Sequence, residues 1–456
     1  MAIEWASNWE TTFYGTNRAR FSDDVQSLQF CYICKTDVFC FAKYLQPMKK
    51  ILFFLAAVAL VAACGSPAAT PTGGLKHVSP ESMGMNSEKL NQIDREVAVA
   101  IEEGNIPGCV VSVVRDDKIV FLKAYGNKQV VPDTIPMTPE TIFDLASVSK
   151  CVGTTLSFMQ LVENGYVRLS DDVDMYIPDF KPWIDPETGR KVYITVQDVM
   201  THTSGLAPYI ATNAYLERFG VNSPDSLIWH IANEIKRNFR PKTGYMYSCL
   251  NFVTVQNILQ NITGEKLCDY AEKNVFGKLG LQHTGYMPKE RHPEWMPLIA
   301  PTELQDDGTC LLGEVHDPLA RLANGGNSGN AGVFSNCEDL SVICAALMNG
   351  GAVNGKRILS PLTVDMMATV PPDNDEWIGR ALGWDNRSDA AGLRGDLLSR
   401  TRTICHTGYT GTSVVIDLDN KVAVVLLAHR VHPTDKGGTG KLRARIANIV
   451  AGSIEK

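Results

Sequence analysis

The chain has 456 residues, of which 45% are hydrophobic and 20% charged, with 37 Gly, 23 Pro and a formal net charge of −7. This is ordinary globular composition with ample material for a core. A mildly acidic chain without basic runs lacks the electrostatic footprint of a nucleic-acid binder, and repeats and low-complexity tracts are absent.

In chain order, the first informative segment is Met48-Lys49-Lys50 followed by the apolar run Ile51 to Ala63 and then Cys64. A bilayer-spanning helix needs roughly 20 apolar residues, more than this run holds. With two lysines ahead of it, the run reads as the hydrophobic region of a signal peptide over 48–63. The ending Val61-Ala62-Ala63-Cys64-Gly65 resembles a bacterial lipobox, which implies lipidation of Cys64 as the first mature residue. The competing reading is a short buried helix that ends in cysteine. Residues 1–47 have no clear periodicity, and Cys31-x-x-Cys34 lacks a second pair at zinc-site spacing. Because a signal peptide belongs at the start of a protein, 1–47 is read as an upstream mis-start, or as the short arm of a signal anchor. Ser66 to Gly74, rich in Pro, Thr, Ala and Gly, reads as a flexible tether, so that 64–78 links the anchor to the folded part. Eight of the twelve cysteines follow Cys64 and form no disulfide framework; most are expected to be small buried hydrophobes.

From residue 79 the pattern is α/β. Helical periodicity runs from Ser87 to Glu103. Cys109–Val114 and Ile119–Ala124 are β-rich runs around Arg115-Asp116-Asp117-Lys118, a hairpin signal. The spacing of Val148, Val152, Leu156, Met159 and Val162 predicts a helix over Ser147–Glu163, stopped by Asn164-Gly165. Thr195 and Asp198 read as a capping box. The span 151–345 is mostly helix and loop. Strands return at Thr403–His406, Thr412–Leu418 and Lys421–Ala428, the last two joined by a turn at Asp419-Asn420, and Lys441–Ala451 closes as a helix. The expected fold is therefore an antiparallel sheet built from both ends of the domain and flanked by helices. A sheet lobe (79–150 and 395–456) would hold an inserted, mostly helical lobe (151–394). A cleft between lobes is a common ligand site.

Three motifs carry chemistry. Ser147-Val148-Ser149-Lys150 sets a serine and a lysine on one helical face, three residues apart. A lysine whose charge is disfavoured by burial can take the serine's proton and make it a nucleophile. Tyr247-Ser248-Cys249, followed by Asn251, places a phenol that can move protons if cations stabilise its phenolate, although taken alone Tyr247 reads as a packed aromatic. His406-Thr407-Gly408-Tyr409 starts inside a strand; its glycine would let a substrate backbone approach, and the strand edge can offer an N–H to an oxyanion. In isolation, a strand glycine marks a bulge and the histidine reads as structural. Gly437-Gly438-Thr439-Gly440-Lys441 is not a phosphate loop, because Asp435 and Leu442 stand where the motif needs Gly and Ser or Thr.

In this order the motifs resemble those of the penicillin-recognising serine hydrolases: the class C β-lactamases, D-Ala-D-Ala peptidases and related esterases. Further matches are Met200-Thr201-His202-Thr203-Ser204-Gly205-Leu206, Gly313-Glu314-Val315-His316-Asp317, Asn330-Ala331-Gly332-Val333 and Leu382-Gly383-Trp384-Asp385, so the likeness spans about 79–456. The resemblance implies Ser147 as nucleophile, Lys150 as its activator and Tyr247 as the proton shuttle to the leaving group. It puts His406, Thr407, Gly408 and Tyr409 at the substrate, with the N–H groups of Ser147 and Tyr409 as oxyanion hole. It implies no metal or organic cofactor. Two departures stand out: Cys249 occupies the place of the Y-x-N asparagine, leaving Asn251 as the candidate substitute, and His406 replaces the lysine of K-T-G. A mostly neutral histidine attracts a substrate carboxylate less than lysine does, by about 4 kcal/mol at 4 Å in an intermediate dielectric. The expectation is an acyl-enzyme hydrolase of peptidoglycan fragments or β-lactams. The alternatives are a carboxylesterase for small acyl esters or a non-catalytic penicillin-binding receptor. The partners would be a small-molecule or muropeptide substrate and, through the lipid, a membrane on the periplasmic side of a Gram-negative bacterium; nucleic acid is not expected.

Overall fold

Valine-rich runs near both ends of the domain pair with each other, and that pairing sets the architecture. The computed structural model describes residues 74–374, 378–386 and 389–456. Segments 1–47 and 48–63, and the lipid-anchor position Cys64 with most of its tether, lie outside the described residues. The main sheet contains β1 (Lys76–His77), β2 (Gly108–Arg115), β3 (Lys118–Gln129), β4 (Ile135–Pro136), β5 (Thr403–Thr407), β6 (Ser413–Asp417) and β7 (Val422–Ala428). Their spatial order is β1-β3-β2-β7-β6-β5, with β4 on the far part of β3. The central joint is β2 against β7, where Val110 faces Leu427 and Val113 faces Val424. All pairs are antiparallel except β1 on β3. The sheet is thus mixed at one edge, where the expectation was purely antiparallel; β1 offers only two residues of ladder and serves to cover the edge.

Five helices frame this sheet and the site: α1 (Gln92–Glu102), α2 (Leu156–Glu163), α3 (Cys249–Thr263), α4 (Cys337–Met348) and α5 (Gly440–Gly452). Alternate residues of each strand serve opposite faces. Val110, Val114, Val414, Ile416, Val425 and Leu427 pack in one core cluster with the buried face of α4. Cys109, Val111, Val113, Val424 and Leu426 pack in another with Ile93 and Val97 of α1 and Ile446 and Val450 of α5. Burying each such side chain contributes about 1.5–3 kcal/mol relative to exposure. Both faces are covered, which is why the strands read as continuous aliphatic runs rather than polar-apolar alternation. All eight described cysteines are free thiols, six of them buried.

Two sequence expectations are refined. The helix over 87–103 breaks at Asn91 into Ser87–Leu90 and α1. The helix over 147–163 is α-helical only from Leu156; a 3-10 turn at Ala146–Val148 and a π-turn at Lys150–Thr155 precede it. The Thr155 hydroxyl donates to the Lys150 carbonyl at 2.8 Å, taking up an acceptor within the widened turn. The Thr195/Asp198 capping box is present. A second small sheet orders Phe143–Asp144, Val333–Ser335 and Gly285–Tyr286 side by side and delivers the chain to Ser147.

Candidate active site

The segment that carries Ser147 is held under strain. Ala146 has φ +46°, a conformation that costs a non-glycine residue energy and persists only where surroundings enforce it. The enforcing group is Asp144, whose buried carboxylate accepts the N–H of Ala146 at 2.8 Å and of His316 at 2.7 Å. Thr410 and Thr412 donate their hydroxyls to the carbonyls of Asp144 and Leu145 at 2.8 and 2.9 Å. These bonds tie the β5–β6 turn to the same segment. In the 3-10 turn residues i and i+3 eclipse, and Lys150 Nζ lies 3.0 Å from Ser147 Oγ. The contact thus spans the junction of the 3-10 turn that holds Ser147 and the π-turn that Lys150 opens, not an α-helical face. Ser147 is half-buried, so solvent and substrate can reach it.

Lys150 is fully buried and also donates to the Asn330 carbonyl at 2.9 Å and to Cys249 Sγ at 3.6 Å. Burial is the largest single influence on its ammonium and pushes its pKa down, but its neighbours Cys249, Tyr247 and Asp317 push the other way, and the net direction is up. The expected depression by burial is therefore only one side of the balance. Burial pushes the Tyr247 phenol and the Cys249 thiol up, with Lys150 opposing both. A neutral Lys150 would keep two N–H bonds, to Asn330 and Cys249, and turn its lone pair to the Ser147 hydroxyl.

Tyr247 lies in the extended segment before α3. Its ring is 5.0 Å from Lys150 Nζ, 5.5 Å from Arg380 Cζ and 4.5 Å from the His202 ring. Cys249 opens α3, and residues two apart on a helix point about 200° apart. Asn251 is accordingly turned away from Lys150. Its amide donates to His202 Nδ1 at 3.0 Å and its oxygen accepts from Ser204 Oγ at 2.6 Å, fully buried. The expectation that Asn251 replaces the missing substrate-facing asparagine is corrected: it belongs to the wall behind Tyr247.

On β5, His406 is only 2% exposed, while Thr407 is half-buried and Tyr409 open to solvent. His406 Nδ1 donates to the Thr407 carbonyl at 2.9 Å, and Nε2 accepts from Arg380 Nη2 at 2.9 Å. The imidazole is thus closed off from the surface where a substrate carboxylate would lie. Gly408 has a different reason from the one expected: a Cβ there would meet Thr412 Oγ1 at 2.1 Å and the Leu145 carbonyl at 2.4 Å. It lets the β5–β6 turn, rather than a substrate, approach. The Gly408 N–H is spent on the Thr412 carbonyl at 2.8 Å, and the N–H of Gly411 on the Gly408 carbonyl at 3.1 Å, with Tyr409 between them at the turn. Tyr409 is braced by Asp435 at its hydroxyl, by Arg430 over its ring at 4.4 Å and by the stacked His316 ring at 5.8 Å.

Sequence reasoning missed Asp144, Asn330, Arg380, Thr410 and Thr412. Asn330, and Asp385, which pairs with Arg380, fell within matched motifs but carried no assigned role, and a lone buried arginine has no sequence signal. Among the described residues, no group of three or more His, Cys, Asp or Glu side chains could hold a metal ion.

Comparison with known proteins matches residues 93–448 to a family model described as Beta-lactamase. A protein of Escherichia coli (strain K12) named "Putative D-alanyl-D-alanine carboxypeptidase" is 29% identical over 408 residues, covering 84% of this chain and 92% of that one. Among solved structures, EstCE1, a hydrolase with promiscuous acyltransferase activity, superimposes with TM-score 0.64 at 23% identity, covering 80% of this chain and 99% of the other. The octameric penicillin-binding protein homologue from Pyrococcus abyssi has TM-score 0.59 at 20% identity, covering 78% and 75%.

Proposed function

This chain belongs to the beta-lactamase family of serine hydrolases, and we propose that it cleaves an amide or ester bond through an acyl-enzyme on Ser147. The observation that carries this reading is the 3.0 Å contact between Ser147 Oγ and Lys150 Nζ. Lys150 acts from the neutral fraction of its amine, small because Cys249, Tyr247 and Asp317 favour the charged form, and takes the serine proton as Oγ attacks the carbonyl carbon. The oxyanion forms against the N–H groups of Ser147 and Tyr409, which the strained turn and the threonine staples hold in place. Tyr247, beside Lys150, relays that proton to the departing amine or alcohol. Water, activated by the same Lys150–Tyr247 pair, then releases the acid.

The substrate class supported by the E. coli relative's name is a peptidoglycan-type peptide, and β-lactams share its acylation chemistry. A carboxylesterase is the second reading, favoured by the closed-off His406. Both differ from a receptor that acylates once and stops. Muropeptides, a cephalosporin and p-nitrophenyl butyrate offered side by side to the purified protein separate them, with Ser147→Ala as the blank. Turnover that persists in Ser147→Ala refutes the assignment. The lipobox-like stretch ending in Cys64 supports export and anchoring to the periplasmic face of a membrane; an unlipidated Cys64 peptide in mass spectrometry of the native protein overturns that.

A further inference from the structure

Behind β5 lies a buried ion pair that no step above uses. Arg380 is 0% exposed, pairs with Asp385, and donates from Nη2 to His406 Nε2 at 2.9 Å. The other imidazole nitrogen, Nδ1, donates to the Thr407 carbonyl at 2.9 Å. Nε2 is therefore an acceptor. A proton placed there would set donor against donor and cation against cation, inside the protein where water cannot intervene.

We propose that Arg380 is a positioning residue that locks His406 as its neutral Nδ1–H tautomer, and that this lock makes the β5 side of the site select substrates without a carboxylate beside the scissile bond. The inference rests on the acyl-enzyme reading and names its substrate class: esters or amides uncharged at that position. Arg380 cannot serve as carboxylate receptor itself, because it has no exposed surface and Asp385 and His406 engage its two terminal nitrogens. The charged and titratable groups around the imidazole are Arg380 and Asp385 of the 378–386 loop, Lys150 of the π-turn, Tyr247 ahead of α3, and His202 of the loop after the Val196–Met200 helix. Asp385 alone favours the charged ring among them, while burial and the two cations oppose it. The imidazole is held down to about 3, burial being the leading cause.

The test uses two aryl esters with one acyl group, an m-carboxyphenyl ester and its m-carboxamidophenyl isostere, on the purified full chain. The ratio of their kcat/KM values should favour the carboxamide and stay constant within about twofold from pH 5 to 8. A ratio that shifts tenfold toward the carboxylate as pH falls through 6.5 overturns the lock. In Arg380→Gln/Asp385→Asn, where Nε2 is released without leaving a lone buried charge, that tenfold shift should appear; its absence in a folded variant overturns the role of Arg380. Should that variant not fold, ¹⁵N NMR of wild-type His406 decides: an Nδ1–H signature unmoved between pH 5 and 8 supports the lock, and titration refutes it. If neither ester is turned over and a fluorophosphonate fails to label Ser147, the acyl-enzyme reading fails instead, while the NMR result still judges the lock.

Discussion

Gly408→Ala is the sharpest perturbation available, because the geometry sets its size. The new methyl carbon would sit 2.4 Å from the Leu145 carbonyl oxygen and 2.1 Å from Thr412 Oγ1. Ordinary van der Waals contact lies near 3.5 Å, so relief requires about 1 Å of movement. Thr412 can yield only by abandoning its 2.9 Å bond to the same carbonyl, and Leu145 is backbone immediately before the strained Ala146. The β5–β6 turn must therefore move away from the Ser147 segment. Overpacking costs about 1–3 kcal/mol, and the lost buried hydrogen bond about 1 kcal/mol more, for a loss of about 2–4 kcal/mol. A 1 Å displacement of a positioned donor lowers rate by about 10²-fold, equivalent to about 2.7 kcal/mol in the barrier. The assay is kcat/KM on p-nitrophenyl butyrate beside a thermal melt. Gly438→Ala, whose added Cβ meets nothing within 4 Å, serves as control. Wild-type kcat/KM and melting temperature in Gly408→Ala would show that this turn does not brace the nucleophile segment, and the oxyanion assignment to Tyr409 would fall with it.

Lys150→Ala removes the amine beside Ser147 and should lower the fluorophosphonate labelling rate by about 10²–10⁴-fold with unchanged circular dichroism; undiminished labelling would exclude Lys150 as activator. His406→Lys, which from the motif alone would be expected to strengthen carboxylate recognition, should instead destabilise by about 3–5 kcal/mol, since it puts an ammonium against buried Arg380; a melt equal to wild type contradicts this. His429 is buried with a pKa of about 3 against an ordinary 6.5, burial being the leading cause. Between those values the unfolded chain binds a proton that the folded chain does not. Its stability contribution is therefore complete above pH 6.5 and lost progressively as pH falls toward 3. His429→Leu should reduce the acid slope of unfolding free energy by about 1.4 kcal/mol per pH unit in that window; parallel slopes in urea titrations would show that the ring is not held neutral.

The sequence by itself determined the elements whose cause is local. Apolar runs bounded by Asp-Asp and Asp-Asn turns specify β2, β3, β6 and β7, because β-propensity and turn chemistry act over a few positions. The S-x-x-K, Tyr247 and His406-Thr407-Gly408 strings, in that order, point to one chemistry. Tertiary structure decided what those residues face. A helix starting at Cys249 rotates Asn251 out of the site, a consequence of phase that no spacing rule supplied while the helix start was unknown. His406 became an inward, neutral ring because Arg380, 26 positions earlier, folds against it. The turn under Ser147 is 3-10 and then π where the nearby Asp144 carboxyl and the distant Thr410, Thr412 and Asn330 groups hold it. Local propensity writes strands and motifs into a sequence; burial, and the partner that each buried polar atom finds, exists only once the chain has closed on itself.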